Sequence, residues 1–206
     1  MITEQNVLPL FAVPLCRVNL GAPSSELREQ ILDQSWVLTR PQTLNRQNLH
    51  LLDSLPTLKQ QIQDTLHQYV RVLGFDPEQN PFRITTSWVN RADPQAQAHP
   101  HHHSNSMISG VYYPDDCEGT APIQFHRAEH HHNLWSDMIN LPQHSHTLYN
   151  TRQVVVSPSA GDVILWPSHL NHSVTPNQST EPRYSVAFNS FVTGVLDQGG
   201  GSELQL

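Results

Sequence analysis

Along this 206-residue chain the apolar positions follow a helical rhythm before residue 80 and break into short extended runs after it. Residues 8–20 alternate imperfectly and contain Pro9 and Pro14, which predicts an edge strand or an extended entry segment. Ser24 or Ser25 is placed to cap a helix carrying Leu27, Ile31 and Leu32 on one face, expected to run to about Val37. A second helix is expected from Leu55-Pro56 to Gly74. Leu58, Ile62, Leu66, Tyr69, Val70 and Leu73 form its stripe, with proline at the start and glycine at the end. Such a stripe predicts packing on a sheet rather than a cofactor-binding face.

Beyond residue 81, short β-type runs at 82–90, 107–113, 123–125, 153–156, 162–166, 173–175 and 183–192 are separated by turn-formers. With helical rhythm nearly absent there, they predict a sandwich or barrel. Gly161-Asp162 reads as a turn into one strand and Pro167-Ser168 as its break. The stretch 129–150, rich in His, Asn and Ser, reads as a loop or short-helix insertion, and Gly199-Gly200-Gly201-Ser202 opens a tail expected to fray. The expected organisation is one domain over 1–206: a strand and helical elaboration over 1–80, a β core over 81–193 and a tail over 194–206.

Charge and composition narrow the function classes. Eleven basic against 18 acidic side chains, a formal charge of -7, argue against broad electrostatic binding to nucleic acid or to anionic membranes. No phosphate-binding or dinucleotide glycine fingerprint is present. Cys16 and Cys117 alone make neither a disulfide scaffold nor a thiolate zinc site. The first residues lack a basic cluster followed by an apolar run, and no segment approaches the roughly 18 apolar residues of a membrane span. These features lead to the expectation of a soluble, cytoplasmic protein whose substrate is not a polyanion, and they are compatible with a homodimer.

Fourteen histidines are the outlier, and seven fall in two clusters, His99/His101/His102/His103 and His130/His131/His132. On an extended strand, residues two apart share a face. His101 and His103 can therefore converge on one ion while His102 points away, with His172 as a distal third ligand. His99 has the same parity, so spacing alone equally permits His99 with His101. Neutral imidazole suits Fe(II), Zn(II), Cu(II) and Ni(II), and three ligands on one side leave positions open. Consecutive His130, His131 and His132 fit a solvated insertion reaching over the site better than a second metal centre. His126 and His169 are candidates for its rim or support, and Trp88, Trp135 and Trp166 for an apolar substrate pocket, with core packing an equal reading for Trp88 and Trp166.

Six pieces occur in order: Trp88-Val89-Asn90, His101-x-His103-Ser104-Asn105-Ser106, Ser109-Gly110-Val111-Tyr112-Tyr113, Gly161-Asp162-Val163-Ile164-Leu165-Trp166-Pro167-Ser168, His172, and Arg183-Tyr184-Ser185-Val186-Ala187-Phe188-Asn189. Together, over 82–192, they resemble a family of small 2-oxoglutarate, Fe(II)-dependent oxygenases, similar to the prolyl-hydroxylase-like branch. The resemblance implies a mainly β fold with N-terminal helices around a double-stranded β-helix, a jelly-roll or cupin-like core. It implies iron on His101, His103 and His172, with 2-oxoglutarate as cosubstrate. Where His103 stands the superfamily usually has a carboxylate, so the site resembles a three-histidine variant. Asp93, Asp115, Asp116 and Glu118 lack the adjacent spacing to replace it. Arg183, eleven residues after His172, matches the arginine that holds the far carboxylate of 2-oxoglutarate, and its planar fork suits that task. Ser185 on the same strand face and Tyr113 on the Ser109/Val111 face would complete this pocket. Asn90 and Asn189 would line the substrate side.

The implied reaction is hydroxylation of a C–H bond, with release of succinate and CO2. Two other classes stay open: a three-histidine cupin-type dioxygenase that uses no 2-oxoglutarate, and a non-catalytic metal-binding jelly roll.

Overall fold

The computed structural model of the chain describes residues 12–40, 43–44, 48–117, 120–127, 142 and 144–206, and at 38–40 and 43–44 the backbone alone. Residues 1–11, Glu118, the 130–132 histidine run and Trp135 lie outside the described residues.

The helices follow their local signals. The Ser24 side chain accepts from the Leu27 N–H at 3.2 Å and opens α1 (Ser25–Leu32), whose Ile31 is fully buried. The helix ends short of the expected Val37. Asp33 turns out of the helical region at ψ 71°, and the extended chain beyond it lets Trp36 pack its ring 5.8 Å from that of Tyr184. Helix α2 (Pro56–Val72) begins on Pro56 and buries Leu58, Ile62, Leu66, Tyr69 and Val70. Each buried aliphatic side chain of that stripe contributes about 1.5–3 kcal/mol over leaving it in water. No helix among the described residues is long and apolar enough to cross a membrane.

Strands β1 (Cys16–Asn19), β2 (Leu38–Arg40) and β3 (Thr43–Leu44) precede a core of eight: β4 (Phe82–Ala92), β5 (Ala98–His101), β6 (Ile108–Tyr112), β7 (Ile123–His126), β8 (Gln153–Val156), β9 (Asp162–Pro167), β10 (His172–Val174) and β11 (Arg183–Val192). A large sheet runs β1-β9-β6-β11-β4-β3-β2 and a small one β5-β10-β7-β8. Every pairing between these strands is antiparallel. From β4 to β11 the chain passes back and forth between the sheets, staying in the small sheet only for the consecutive pair β7 and β8. This winding is a double-stranded β-helix.

Both faces of the large sheet are covered, and residue parity says by what. Val163 and Leu165 of β9, Ile108 and Tyr112 of β6, and Val186 and Phe188 of β11 pack with α2 on the outer face. Ile164, Trp166, Val111 and Tyr113 point inward and meet Ile123 and Phe125 of the small sheet. Gly110 of β6 has the outward parity, and a Cβ there would enter the Phe188 ring and press on Leu165. Gly110→Ala should therefore lower stability by about 1–3 kcal/mol through overpacking. Urea unfolding of the variant reads this out, and an unchanged midpoint would contradict the packing described.

Two further features depart from expectation. The tail does not fray: β12 (Val195–Leu196) pairs with β13 (Leu204–Gln205), and Gly194 and Leu206 exchange backbone bonds of 3.0 and 2.9 Å. The glycine run supplies the reversal, with Gly199 at φ +76°. Strand β5 was not among the expected runs, because His99-Pro100-His101 carries no apolar alternation to mark it.

Candidate metal centre and adjoining cavity

Strand β10 lies between β5 and β7, so His172 faces His101 across one ladder and Phe125 across the other. His101 is the last residue of β5. His103 is not on the strand at all, so the parity argument for this pair does not apply. It lies in the following coil, where its backbone N–H donates to the Ser168 carbonyl at 3.0 Å. His101, His103 and His172 each offer one nitrogen, and these atoms lie within 4.8 Å of one another. The His101 ring centroid is 4.3 Å from that of His172 and 5.4 Å from that of His103. His99 is not part of this group and His102 is exposed.

The ring nitrogens are sorted by their hydrogen bonds. Nδ1 of His101 lies 2.8 Å from the His99 carbonyl and Nδ1 of His172 lies 3.1 Å from the Leu170 carbonyl. A carbonyl only accepts, so in neutral rings both Nδ1 atoms carry the proton and Nε2 carries the lone pair. His103 Nδ1 lies 2.5 Å from Asn189 Oδ1 and 3.0 Å from Ser109 Oγ, which favours the same tautomer. Burial against Trp166 and Phe125, with the adjacent His101 imidazole, pushes His172 down to about 3. Three neutral imidazoles with this polarity fit a divalent metal. None of the described residues lining the adjoining cavity is a carboxylate. Asp93 is engaged with Arg91 at 2.7 Å, Asp115 with Arg28 at 2.6 Å, and Asp116 accepts from the Ala160 N–H at 2.9 Å.

That cavity, about 860 Å³, lies between the two sheets. Its large-sheet wall consists of ladder partners in phase: Arg183 beside Ala92, Ser185 beside Asn90, Ala187 beside Trp88 and Asn189 beside Thr86. Tyr113 joins from the end of β6. All five residues expected to bind cosubstrate or substrate thus border the same space as the three histidines. Asn189 has its carbonyl on His103 and Ser109 and its amide on Thr86, at 3.2 Å. His126 does not line the cavity and bonds Ser173 at 2.8 Å instead, while His169 is exposed.

Arg183 is 5% exposed, and its Nε and Nη1 atoms have no hydrogen-bond partner among the described residues. Its guanidinium carbon lies 5.4 Å from the centre of the Tyr113 ring. Burial pushes the Tyr113 hydroxyl up to about 12, with the Arg183 charge pulling the other way. A buried cation with donors unused is costly unless a ligand supplies acceptors, and a carboxylate is the natural one. These residues therefore fit a diacid able to reach from the arginine toward the three imidazoles. The quieter members of the site are Ser106, Ser109 and Ser168, linked by hydroxyl contacts of 2.8 and 2.7 Å behind His103. Nothing in a lone serine signals such a role; only their places in the ordered motifs hinted at it.

No curated protein matches the chain in sequence. Among solved structures, HygX from Streptomyces hygroscopicus, determined with nickel and 2-oxoglutarate bound, is 15% identical with a TM-score of 0.54, over 92% of this chain and 87% of that one. A Pseudomonas putida prolyl-4-hydroxylase is 15% identical with a TM-score of 0.50, over 87% of this chain and 94% of that one. An oxidoreductase of the 2OG-Fe(II) oxygenase family from Burkholderia pseudomallei is 15% identical with a TM-score of 0.39, over 53% of this chain, and only 44% of its own length is spanned. At this identity the first two likenesses speak for the fold alone. The sequence profile described as "Putative 2OG-Fe(II) oxygenase" matches residues 86–189, half of the chain, a span that holds all three histidines and Arg183. With that match on a double-stranded β-helix, the chain belongs to the 2OG-Fe(II) oxygenase family and is a 2-oxoglutarate-dependent oxygenase.

Proposed function

We propose that the protein hydroxylates a C–H bond of a small molecule, amino-acid derivative or peptide, with His101, His103 and His172 holding Fe(II). In this reading Arg183, with Ser185 and Tyr113, receives the distal carboxylate of 2-oxoglutarate. The single observation that carries it is the convergence of three imidazoles and a buried arginine with unused donors on one cavity. When bound, iron, 2-oxoglutarate and dioxygen would supply the oxidising chemistry, one oxygen atom entering succinate as CO2 is lost and the other entering the new C–OH bond. The chain's own tasks are to direct the imidazole Nε2 atoms at the metal, pair the distal carboxylate with Arg183 and exclude bulk water. Trp88 and Asn90, with the exposed Gln97 and Asn105, offer an aromatic face and amides to the organic substrate. The absence of carboxylates among the described lining residues favours a neutral or anionic substrate over a cationic one. HygX, of the same fold, was solved with nickel, 2-oxoglutarate and hygromycin B bound, which supports a small-molecule occupant.

The reading takes 81–193 as the catalytic core of one domain, working in a reducing cytoplasm with both cysteines as free thiols, on neither nucleic acid nor membrane, as a monomer or homodimer. Its test is an anaerobic titration of the Fe(II)-loaded chain with 2-oxoglutarate. The expected result is the weak visible charge-transfer band of a bidentate chelate, and in air, succinate formation that requires both. Turnover of an organic substrate indifferent to 2-oxoglutarate would instead assign a three-histidine dioxygenase. Tight zinc with no 2-oxoglutarate affinity would assign a non-catalytic jelly roll.

A further inference from the structure

We propose that Asn189 is a positioning residue for the metal centre: its side-chain carbonyl fixes the tautomer and direction of His103, a task that exists because an imidazole stands there instead of a carboxylate. The inference rests on the reading of His101, His103 and His172 as metal ligands.

The chemistry of the two ligand types is opposite on the side away from the metal. A carboxylate ligand has spare lone pairs and is steadied by donors behind it. An imidazole bound through Nε2 presents an N–H at Nδ1 and is steadied by an acceptor. His101 and His172 have backbone carbonyls in that place. His103 lies in the coil after β5, and behind its ring stand Asn189 Oδ1 at 2.5 Å and Ser109 Oγ at 3.0 Å. Asn189 is in turn placed by the β11 ladder, facing Ser109 on one side and Thr86 on the other.

An asparagine has two ends, and the choice between them decides the role. With the carbonyl toward His103, Oδ1 also accepts from Ser109 Oγ at 3.0 Å, while Nδ2 donates to Thr86 Oγ1 at 3.2 Å. With the amide reversed, Nδ2 would demand the lone pair of His103 Nδ1, put the proton on Nε2, and disable the ligand. Behind this pair Ser168 Oγ stands between Ser109 Oγ at 2.8 Å and Ser106 Oγ at 2.7 Å, and Ser106 donates to the backbone carbonyls of Ile108 and Ser190 at 3.2 Å. That polar plug accounts for serines and an asparagine inside an otherwise apolar wall. It also reassigns Asn189, expected from the sequence to touch substrate, to the support of a ligand.

The test uses the full chain stripped of metal and titrated with Co(II), read by calorimetry and by the visible spectrum of the bound ion. Asn189→Leu keeps the size and removes the acceptor; it should weaken Co(II) binding about 10- to 100-fold and alter the spectrum. Asn189→Asp keeps an acceptor and removes the donor, which the Thr86 hydroxyl can replace; it should bind Co(II) at least as tightly as the parent. A merely structural asparagine would not be rescued in this way. Wild-type affinity and spectrum in Asn189→Leu, or loss of binding in Asn189→Asp, overturns the assignment. If His101→Ala and His172→Ala also bind Co(II) like the parent, the metal reading itself fails. If they lose it while Asn189→Leu does not, only the positioning role falls.

Discussion

His172→Ala is expected to abolish iron-dependent succinate formation and to weaken Fe(II) binding by two orders of magnitude or more. Metal sites of about 10–16 kcal/mol built from a few ligands give roughly 3 kcal/mol per ligand, which is on the order of 100-fold in affinity. His172 leaves little room for a substitute. It is 4% exposed, it forms the middle strand between β5 and β7, and the nearest side chains replacing it would be Phe125 and Trp166, which offer no lone pair suited to the metal. Because the alanine also opens a hole against two aromatic rings, a His172→Leu variant separates chemistry from packing. Leucine should restore most of the unfolding temperature of the metal-free protein and none of the metal-induced rise. That rise, set by ligand concentration over Kd, is the measurement that decides. A leucine variant whose melting temperature still climbs with added Fe(II) or Ni(II) would place the metal elsewhere.

How far such a site can be read in advance depends on whether its geometry is local. The α2 stripe of Leu58, Ile62, Leu66, Tyr69 and Val70 is local, and its helix formed within two residues of expectation. The run 162–166 is buried on both faces, so alternation was invisible there, yet length and flanking Gly161 and Pro167 still marked a strand. Gly161 itself has φ +85° and no room for a Cβ against the Gly21 carbonyl, which is why the turn into β9 carries glycine. The histidine parity was not decisive, because β5 ends at His101 and His103 is reached through coil. What orients His103 is Ser168 and Asn189, 65 and 86 positions away. Partners of that kind come from ladder register between β6, β9 and β11, a property of the folded sheet. The ordered motifs singled out residues that the fold gathers around one cavity; the bonds among them became legible only with the strands in place.

Arg183→Met is expected to leave the cosubstrate-free protein as stable as the parent or more so, while removing its response to 2-oxoglutarate. The guanidinium is buried with Nε and Nη1 unpaired, and beside it stand the Tyr113 ring and hydroxyl and the Cys117 thiol, none of them an anion. Burying a charge with donors unused and no counter-ion opposes folding, and replacing it with an unbranched apolar chain of similar length relieves that cost. The same substitution deletes the fork that would hold a carboxylate, and a hydrogen bond to a charged group contributes about 1.5–3 kcal/mol, so two of them are decisive for a small ligand. The 2-oxoglutarate requirement should therefore rise by at least 100-fold, with the anaerobic visible band absent at concentrations that saturate the parent. Arg183→Lys should fall between, since one ammonium keeps the charge and loses the paired geometry. Melting curves with and without 2-oxoglutarate, on metal-loaded protein, give both halves of the result. A methionine variant that is less stable than the parent yet still shifted by 2-oxoglutarate would mean that Arg183 is held by the fold for its packing, and that the diacid is received elsewhere on the cavity wall.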